Sequence, residues 1–490
     1  MAKIEHIVFL SLVLDLFAFT IPLPLFPRII EWYTQRESSD PTGFLSRTLG
    51  FVSAIRGYFF AKASGNPQRW DVVLLGGLMG SVFSTLQFFV SPYIGSLSDT
   101  YGRKRILLIT MIGNILSALV WIKSTTFASY MLSRVIGGLS EGNVQLAIAI
   151  LSDITTPANR GKALAHVGIA FAICFCIGPP IGAYFASRPV ELGSSLGIEL
   201  NVYAAPAILT LVLLLAETAF LHIALPETRG KGPAVDLDDL EDTKPAANGH
   251  ALKTSRATTV EKRLSLLKSL RKMHFLFLGL FSGVEFTLTF LTFDLFDWNN
   301  TQNGKLIGSI GIVSALLQGG YVRRALSKVG ELNMARRGVS SCAVGLVCLA
   351  FLPQFTSTHP TVAFRLLQAA AVCMAFTSAT VVNSLTAHAS LQCDEGGPAE
   401  GAAAANGNGK SHGKAQGKSI KEKVEEPTHP ELAKGKALGQ FRSSGQLGRA
   451  IGPLLACASY WTFGPSTTYT LSAALMFALS INMRKLAASL

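Results

Sequence analysis

Several charged side chains sit where the chain is otherwise apolar, and the chemistry open to them is that of charge and proton movement. Asp15 lies in one aliphatic and aromatic run and Glu285 in a second. Arg134, Glu141 and Gln145 share a third, and Arg365 and Arg449 fall in two more. A charge at mid-bilayer costs about 2.5 to 3.5 kcal/mol on insertion scales, so each should face protein or water. Arg134, Gly138, Glu141 and Gln145 follow one another at helical spacings that would place them on one face. A carboxylate in a low-dielectric cavity takes up a proton more readily than in water and releases it when the cavity opens to the other side. Asp15 and Glu285 are therefore the candidates for proton coupling. Arg134 can hold a carboxylate ionised until a substrate displaces it, or bind an anion directly. The alternative for each charge is a structural ion pair that locks two helices. Catalysis finds no footing, since His166, His222 and His388 stand without partners and no metal or phosphate-loop constellation is present. The chain is read as a non-enzyme with no cofactor and no metal site.

The elements that must position these charges are membrane spans. Of 490 residues 49% are hydrophobic and only 15% charged, and apolar runs of about 20 residues, long enough to cross a hydrocarbon core, recur along the chain. We read spans near 7–30, 72–96, 106–123, 127–151, 161–186 and 202–225, then near 273–296, 305–321, 338–354, 361–385, 440–462 and 466–484. The expected class is all-α: a polytopic membrane protein of twelve transmembrane helices in two six-helix bundles, 1–225 and 273–490. A cytosolic linker, 226–272, joins them, and a polar insert at about 392–438, rich in Gly, Ala, Lys and Glu, should be disordered. The first apolar run is too long for a signal core and should insert as a span. Its outer end, with Pro22, Pro24 and Pro27, should kink or stop the helix. Residues 31–71 are expected as an outer loop with an amphipathic piece near Phe51.

A net charge of +13 suggests a nucleic-acid partner only until the basic residues are sorted by loop. With both termini cytosolic, most of the 43 Lys and Arg fall on the inner side, the bias that fixes orientation, and no nucleic acid is needed. The seven cysteines are mostly inside apolar segments and read as packing residues. Asn299 opens a formal glycosylation sequon in a very short outer loop.

Gly95 to Arg105 is the most specific stretch. Gly95, Asp99, Gly102, Arg103 and Arg105 fall at fixed offsets between two spans, where Gly102 permits a tight turn and the basic residues stay cytosolic. This resembles the signature between the second and third helices of the major facilitator superfamily. Leu14 to Thr20, Ser133 to Gly138, Phe281 to Glu285 and Arg442 to Gly445 make the chain similar to that family's drug and tetracycline antiporter branch. The resemblance implies a secondary active transporter that moves small amphiphilic organic solutes, organic anions or drugs, by alternating access, with proton antiport. It implies a central cavity lined by the first, fourth, seventh and tenth helices, the spans that carry Asp15, Arg134, Glu141, Glu285 and Arg365. It also implies that Asp153 meets Arg103, although a local helix cap at Asp153 serves as well. Asp99 would act on the positive end of the eleventh helix near Arg442 to Ser444. Glu141 departs from the pattern, which expects a basic residue there. Gly178-Pro179 with Gly182, echoed by Gly452-Pro453, resembles the antiporter signature of the fifth helix and suits close helix packing equally. In the parallel repeat Asp15 matches Glu285, Arg134 matches Arg365 and Gly95 matches Gly320. The expected partners are an organic solute, protons and the bilayer, with the chain a monomer in the plasma membrane or an internal membrane. The rival functions are a non-transporting sensor or scaffold, and a lipid transporter of the same fold.

Overall fold

The structure is a computed structural model that describes residues 4–22, 25–37, 39–59, 67–186, 200–229, 260–298, 300–393 and 430–489. Among the described residues every regular element is helical. The first half holds α1 (Ile4–Thr20), α2 (Phe26–Arg36), α3 (Phe44–Phe59), α4 (Pro67–Tyr101), α5 (Arg103–Ile122), α6 (Phe127–Ser140), α7 (Asn143–Ile154), α8 (Pro157–Ala186) and α9 (Ala204–Ala224). The second holds α10 (Val260–Phe296), α11 (Asn300–Leu317), α12 (Arg323–Val329), α13 (Glu331–Phe355), α14 (Pro360–Gln392), α15 (Lys434–Phe463) and α16 (Pro465–Ser489), with one π-helical turn, Gln318–Val322, between α11 and α12.

Nine helical stretches among the described residues are long and apolar enough to cross a membrane. The expected first, second and eleventh spans, now α1, α4 and α15, are not among them. Helix α1 has only 17 residues. Helix α15 carries Lys434, Lys436, Arg442 and Arg449 on a segment whose mean hydropathy is correspondingly low. Both α4 and α15 bury glycines and serines against neighbouring helices, which lowers their overall hydropathy, while residues such as Phe89, Tyr93, Leu455 and Phe463 still face outward.

Several boundaries depart from the expected ones. Helix α1 stops at Thr20, and the proline-rich stretch restarts as α2 with a proline in its first turn. The described residues of 31–71 are largely helical: α2, α3 and the start of α4 enclose a small core that includes Leu25, Ile29, Ile30, Tyr33, Phe127 and Tyr130. The Tyr33 hydroxyl donates to the Ser124 carbonyl at 2.8 Å and accepts from the Asn201 amide at 2.7 Å, which ties α2 to the loops after α5 and before α9. Much of the expected linker and insert, 230–259 and 394–429, lies outside the described residues, as does Asn299. Residues 260–272 are the first turns of α10, and 434–438 are the first turns of α15.

Two further cores hold the halves. One gathers residues of α1, α4, α5, α7, α8 and α9 with Ala387; the other gathers residues of α10 and α13 to α16 with Ala149. Across the halves, α4 crosses α15 so closely that a Cβ on Gly95 would collide with the Gly435 carbonyl oxygen, and one on Gly439 would sit 2.6 Å from the Ser91 oxygen. Within each half the proline-bearing helices do the same. A Cβ at Gly178 or Gly182 of α8 would strike Thr20 or Ile21, and one at Gly452 of α15 would strike the Gly279 oxygen of α10, with Pro179 and Pro453 inside those helices.

The hairpin turns at Gly102, whose φ of 101° is left-handed and suits a residue without Cβ. Its counterpart in the second half is Gly330, with ψ of 149° against 150° at Gly102. That places the repeat's turn ten residues beyond Gly320, so Gly320 is not the structural partner of Gly95.

Candidate functional site

The fourth span is broken. Helix α6 ends at Ser140, Glu141 is extended at φ −71° and ψ 100°, and α7 restarts after Gly142. A Cβ at Gly142 would lie 2.9 Å from Ile94 Cγ2, so the unwound point is pressed against α4. Arg134, Gly138, Glu141 and Gln145 therefore do not share one continuous face, because helical periodicity is lost between the second and fourth of them. Irregular backbone at this depth is tolerated where it is buried or lines a cavity, and Glu141 does line one.

That cavity has a volume of about 310 Å³ and takes residues from both halves. Asp15, Glu141, Gln145, Glu285 and Arg449 line it, as do Arg442 and His274. Asp15, on α1, accepts a hydrogen bond from the Asn143 amide at 2.6 Å; Asn143 is the first residue of α7, so the helix break aims it. Gln145 donates to the Ser91 carbonyl at 3.1 Å and holds α7 to α4. Glu285, on α10, lies in the field of Arg449, on α15. Arg442, about two turns before Arg449 on the same face of α15, lies in the field of Glu141 and Asp15. Neither arginine, nor Glu141 or Glu285, is held by a hydrogen bond or close ion pair to another described residue. The two acids of the first half thus look across the cavity at the two arginines of the second.

The remaining wall is aromatic. Phe19 packs against Phe83 and Phe175 with ring centroids 6.0 and 6.4 Å apart, and the His274 ring stacks on Phe441 at 4.2 Å.

Two expected cavity residues are elsewhere. Arg134 does not line the cavity; its guanidinium lies 4.8 Å from the ring centre of Phe83, which does. Arg365 is exposed near the far end of α14, whereas the cavity-lining part of that helix begins at Ser378, about 20 Å further along at 1.5 Å per residue. Belonging to the right helix sets neither the depth of a residue along it, as for Arg365, nor the side it faces, as for Arg134.

At the hairpin end the halves are joined by charge. Arg103 Nη1 is 2.7 Å from Asp99 Oδ1, and its Nε is 2.9 Å from Asp153 Oδ2. The other oxygen of Asp153 meets Lys434 at 3.3 Å. Asp99 in turn accepts from the backbone N–H groups of Gly435 and Lys436 at 2.9 and 2.7 Å. The positive end of the eleventh span that Asp99 meets is thus Lys434 to Lys436, about two turns earlier than Arg442 to Ser444, because α15 begins before its apolar run does. Glu227, just past α9, accepts from the N–H groups of Arg103 and Lys104 and so caps α5. Arg105 is exposed and stays outside this network.

Arg442 and His274 in the cavity, and Asn143 behind Asp15, were not expected. For the first two the signal was periodicity: Arg442 and Arg449 recur seven apart, and His274, Phe281 and Glu285 repeat at seven and four along one face of α10. Asn143 had no such signal, since its position depends on the break at Gly142.

A family model described as Major Facilitator Superfamily matches residues 8–408. Major facilitator superfamily domain-containing protein 10 of Homo sapiens is 33% identical over 473 residues, 96% of this chain and 90% of the relative. The class H tetracycline resistance protein of Pasteurella multocida is 25% identical over 277 residues, 56% of this chain and 63% of that protein. Among solved structures, the human organic anion transporter MFSD10 (TETRAN) superposes with a TM-score of 0.74 at 28% identity and 98% coverage of each chain. The proton:xylose symporter XylE superposes with a TM-score of 0.62 over 98% of this chain and 94% of its own, at 12% identity, a likeness of fold. With the hairpin, the two helical halves and a cavity between them, these matches make the chain a member of the major facilitator superfamily of membrane transporters.

Proposed function

We propose that this chain is a secondary active transporter that couples the movement of small amphiphilic organic anions, drugs among them, to protons. The observation that carries the reading is the pair of untethered arginines, Arg442 and Arg449, facing Asp15, Glu141 and Glu285 in one aromatic-lined cavity between the halves. An organic anion and the carboxylates compete for the same guanidinium charge. Protonation of Asp15 or Glu285 removes a competitor and frees an arginine for the anion; departure of the proton restores the pair and expels the anion. The apolar body of the substrate would rest on Phe19, Phe83 and Phe175. The likeness to the human organic anion transporter supports the charge of the cargo.

Alternating access then requires the residues 1–225 and 273–490 to move as two bundles about the cavity. In the present arrangement the hairpin end is shut by Asp99 on the start of α15, by Lys434 on Asp153 and by Arg160 on the Ser390 carbonyl at 3.3 Å. We assign that end to the cytosol on the distribution of Lys and Arg, with both termini inside and the monomer as the working unit.

The test is uptake of fluorescent organic anions and cations into proteoliposomes, with and without an imposed pH gradient. Gradient-driven anion uptake that is lost in Asp15→Asn and Glu285→Gln, with protein of normal amount and fold, is the expected result. Cation preference, or anion flux indifferent to the gradient, refutes the proposal.

A further inference from the structure

Glu217 lies outside the cavity and plays no part in the mechanism above. It is on α9, its side chain is 1% exposed, and its Oε2 has no hydrogen-bond partner. An ionised carboxylate in such a place, without a cation or a full set of donors, is costly. It lines a second cavity of about 10 Å³ together with Ser11 and Asn143, which is roughly the room one water needs. Asn143 is the same side chain that donates to Asp15 at 2.6 Å, with its carbonyl oxygen accepting from Thr110 at 3.0 Å. Two buried carboxyls, Asp15 on the substrate side and Glu217 behind it, are thus separated by one amide and the space of a single water.

The charged groups around Glu217 are few. Asp15 of α1 and Glu141 at the helix break are the charges whose field reaches it. Of the basic residues on the helices packed against α9, Arg103 of α5 is neutralised by Asp99 and Asp153, Lys104 turns outward onto the His222 carbonyl and Arg105 is exposed. On α8, Arg160 is committed to the carbonyls of Ser152 and Thr155, Lys162 lies at the hairpin end, and His166 packs on Phe9. Glu5 and His6 lie at the start of α1, about two turns or more from Ser11 and Asp15. Among the described residues no cation compensates a charge on Glu217, so the charge states of Asp15 first and Glu141 second are what it can sense.

We propose that Glu217 is a second proton-holding carboxyl, coupled to Asp15 across Asn143, and that the charge on Asp15 sets the pH at which Glu217 gives up its proton. It acts through Asp15 and is a positioning residue. Two carboxyls this close do not both ionise cheaply: a negative charge on one favours the proton on the other, and the pair exchanges protons with solvent in two coupled steps. The proposal rests on the proton-coupling role of Asp15, so its test is independent of transport.

The test is a pH titration of the purified full-length protein in lipid by infrared difference spectroscopy, which reads the C=O stretch of protonated buried carboxyls. Wild type should show two titrating bands, one lost in Asp15→Asn and the other in Glu217→Gln. Removing the Asp15 charge removes a force that holds the proton on Glu217. In Asp15→Asn the Glu217 band should therefore titrate at lower pH, by on the order of one unit, and Asp15→Glu should restore the wild-type midpoint. Asp15→Ser serves if the Asn variant does not fold. A Glu217 band that titrates but keeps its midpoint in these variants overturns the coupling. A wild-type spectrum with no Asp15-dependent band refutes the role of Asp15 itself, and the proposal with it.

Discussion

At the scale of the residue, the structure separates charges that are locked from charges that are free. Arg103 is 4% exposed and bonded to both Asp99 and Asp153, so removing it strands two carboxylates. Breaking a buried pair from one side costs about 3 to 5 kcal/mol. Arg103→Ala should lower the thermal unfolding temperature of the purified protein markedly, whereas Arg105→Ala, at an exposed site, should fall within about 0.5 kcal/mol of wild type. Equal stability in the two variants counts against the network. Arg442 belongs to the opposite class, since it lies in the field of Glu141 and Asp15 but makes no close pair. A charge-assisted hydrogen bond is worth about 1.5 to 3 kcal/mol, so Arg442→Gln should weaken anion binding by about 10- to 100-fold with little loss of stability. Equilibrium binding of a transported anion measures this, and unchanged affinity removes Arg442 from the site.

At the scale of the element, the crossing of α4 and α15 is the contact that closes the hairpin end. Gly95 and Gly435 meet backbone to backbone, so a side chain on either has no rotamer that avoids the clash. Gly435→Val should hold the two halves apart there. A cysteine introduced at Leu438, which lines the cavity, should then react with an aqueous reagent from the hairpin side, and a cysteine that stays protected shows that the halves still close. Asp99→Ala is the milder form of the same experiment. It removes a carboxylate from two backbone N–H groups at a helix start, worth about 1 kcal/mol to the contact between the halves, leaves Arg103 its bond to Asp153, and should raise the labelling rate by about fivefold.

At the scale of the whole molecule, two separate cores and a charged cavity between them suit a protein whose halves move while each keeps its packing. Orientation follows from charge. Antibody tags at the N- and C-termini should both become accessible only after the cell membrane is permeabilised, because the loops on the hairpin side carry most of the Lys and Arg. A tag exposed on intact cells reverses the assignment and with it the side on which Asp99 acts.

The amino-acid sequence by itself determined that the chain crosses a membrane many times, that it falls into two halves, and that the Gly95 to Arg105 hairpin is a special turn. These follow from the length of apolar runs and from residue types at fixed local offsets, which a linear chain displays directly. It also placed Asp15, Glu141, Gln145, Glu285 and Arg449 among the charged and polar candidates. What it left undecided was how deep and on which side of a helix each candidate lies. Arg365 had the right composition and the wrong depth, Arg134 the right composition and the wrong side, and Arg442 and His274 were passed over although their spacing marks one face. The break at Gly142, the neighbour that presses on it and the Asn143 it directs at Asp15 arise only from packing against α4 and α1. Helix rotation, depth and local unwinding are settled by contacts between residues far apart in the chain, and only the tertiary structure brings those residues together.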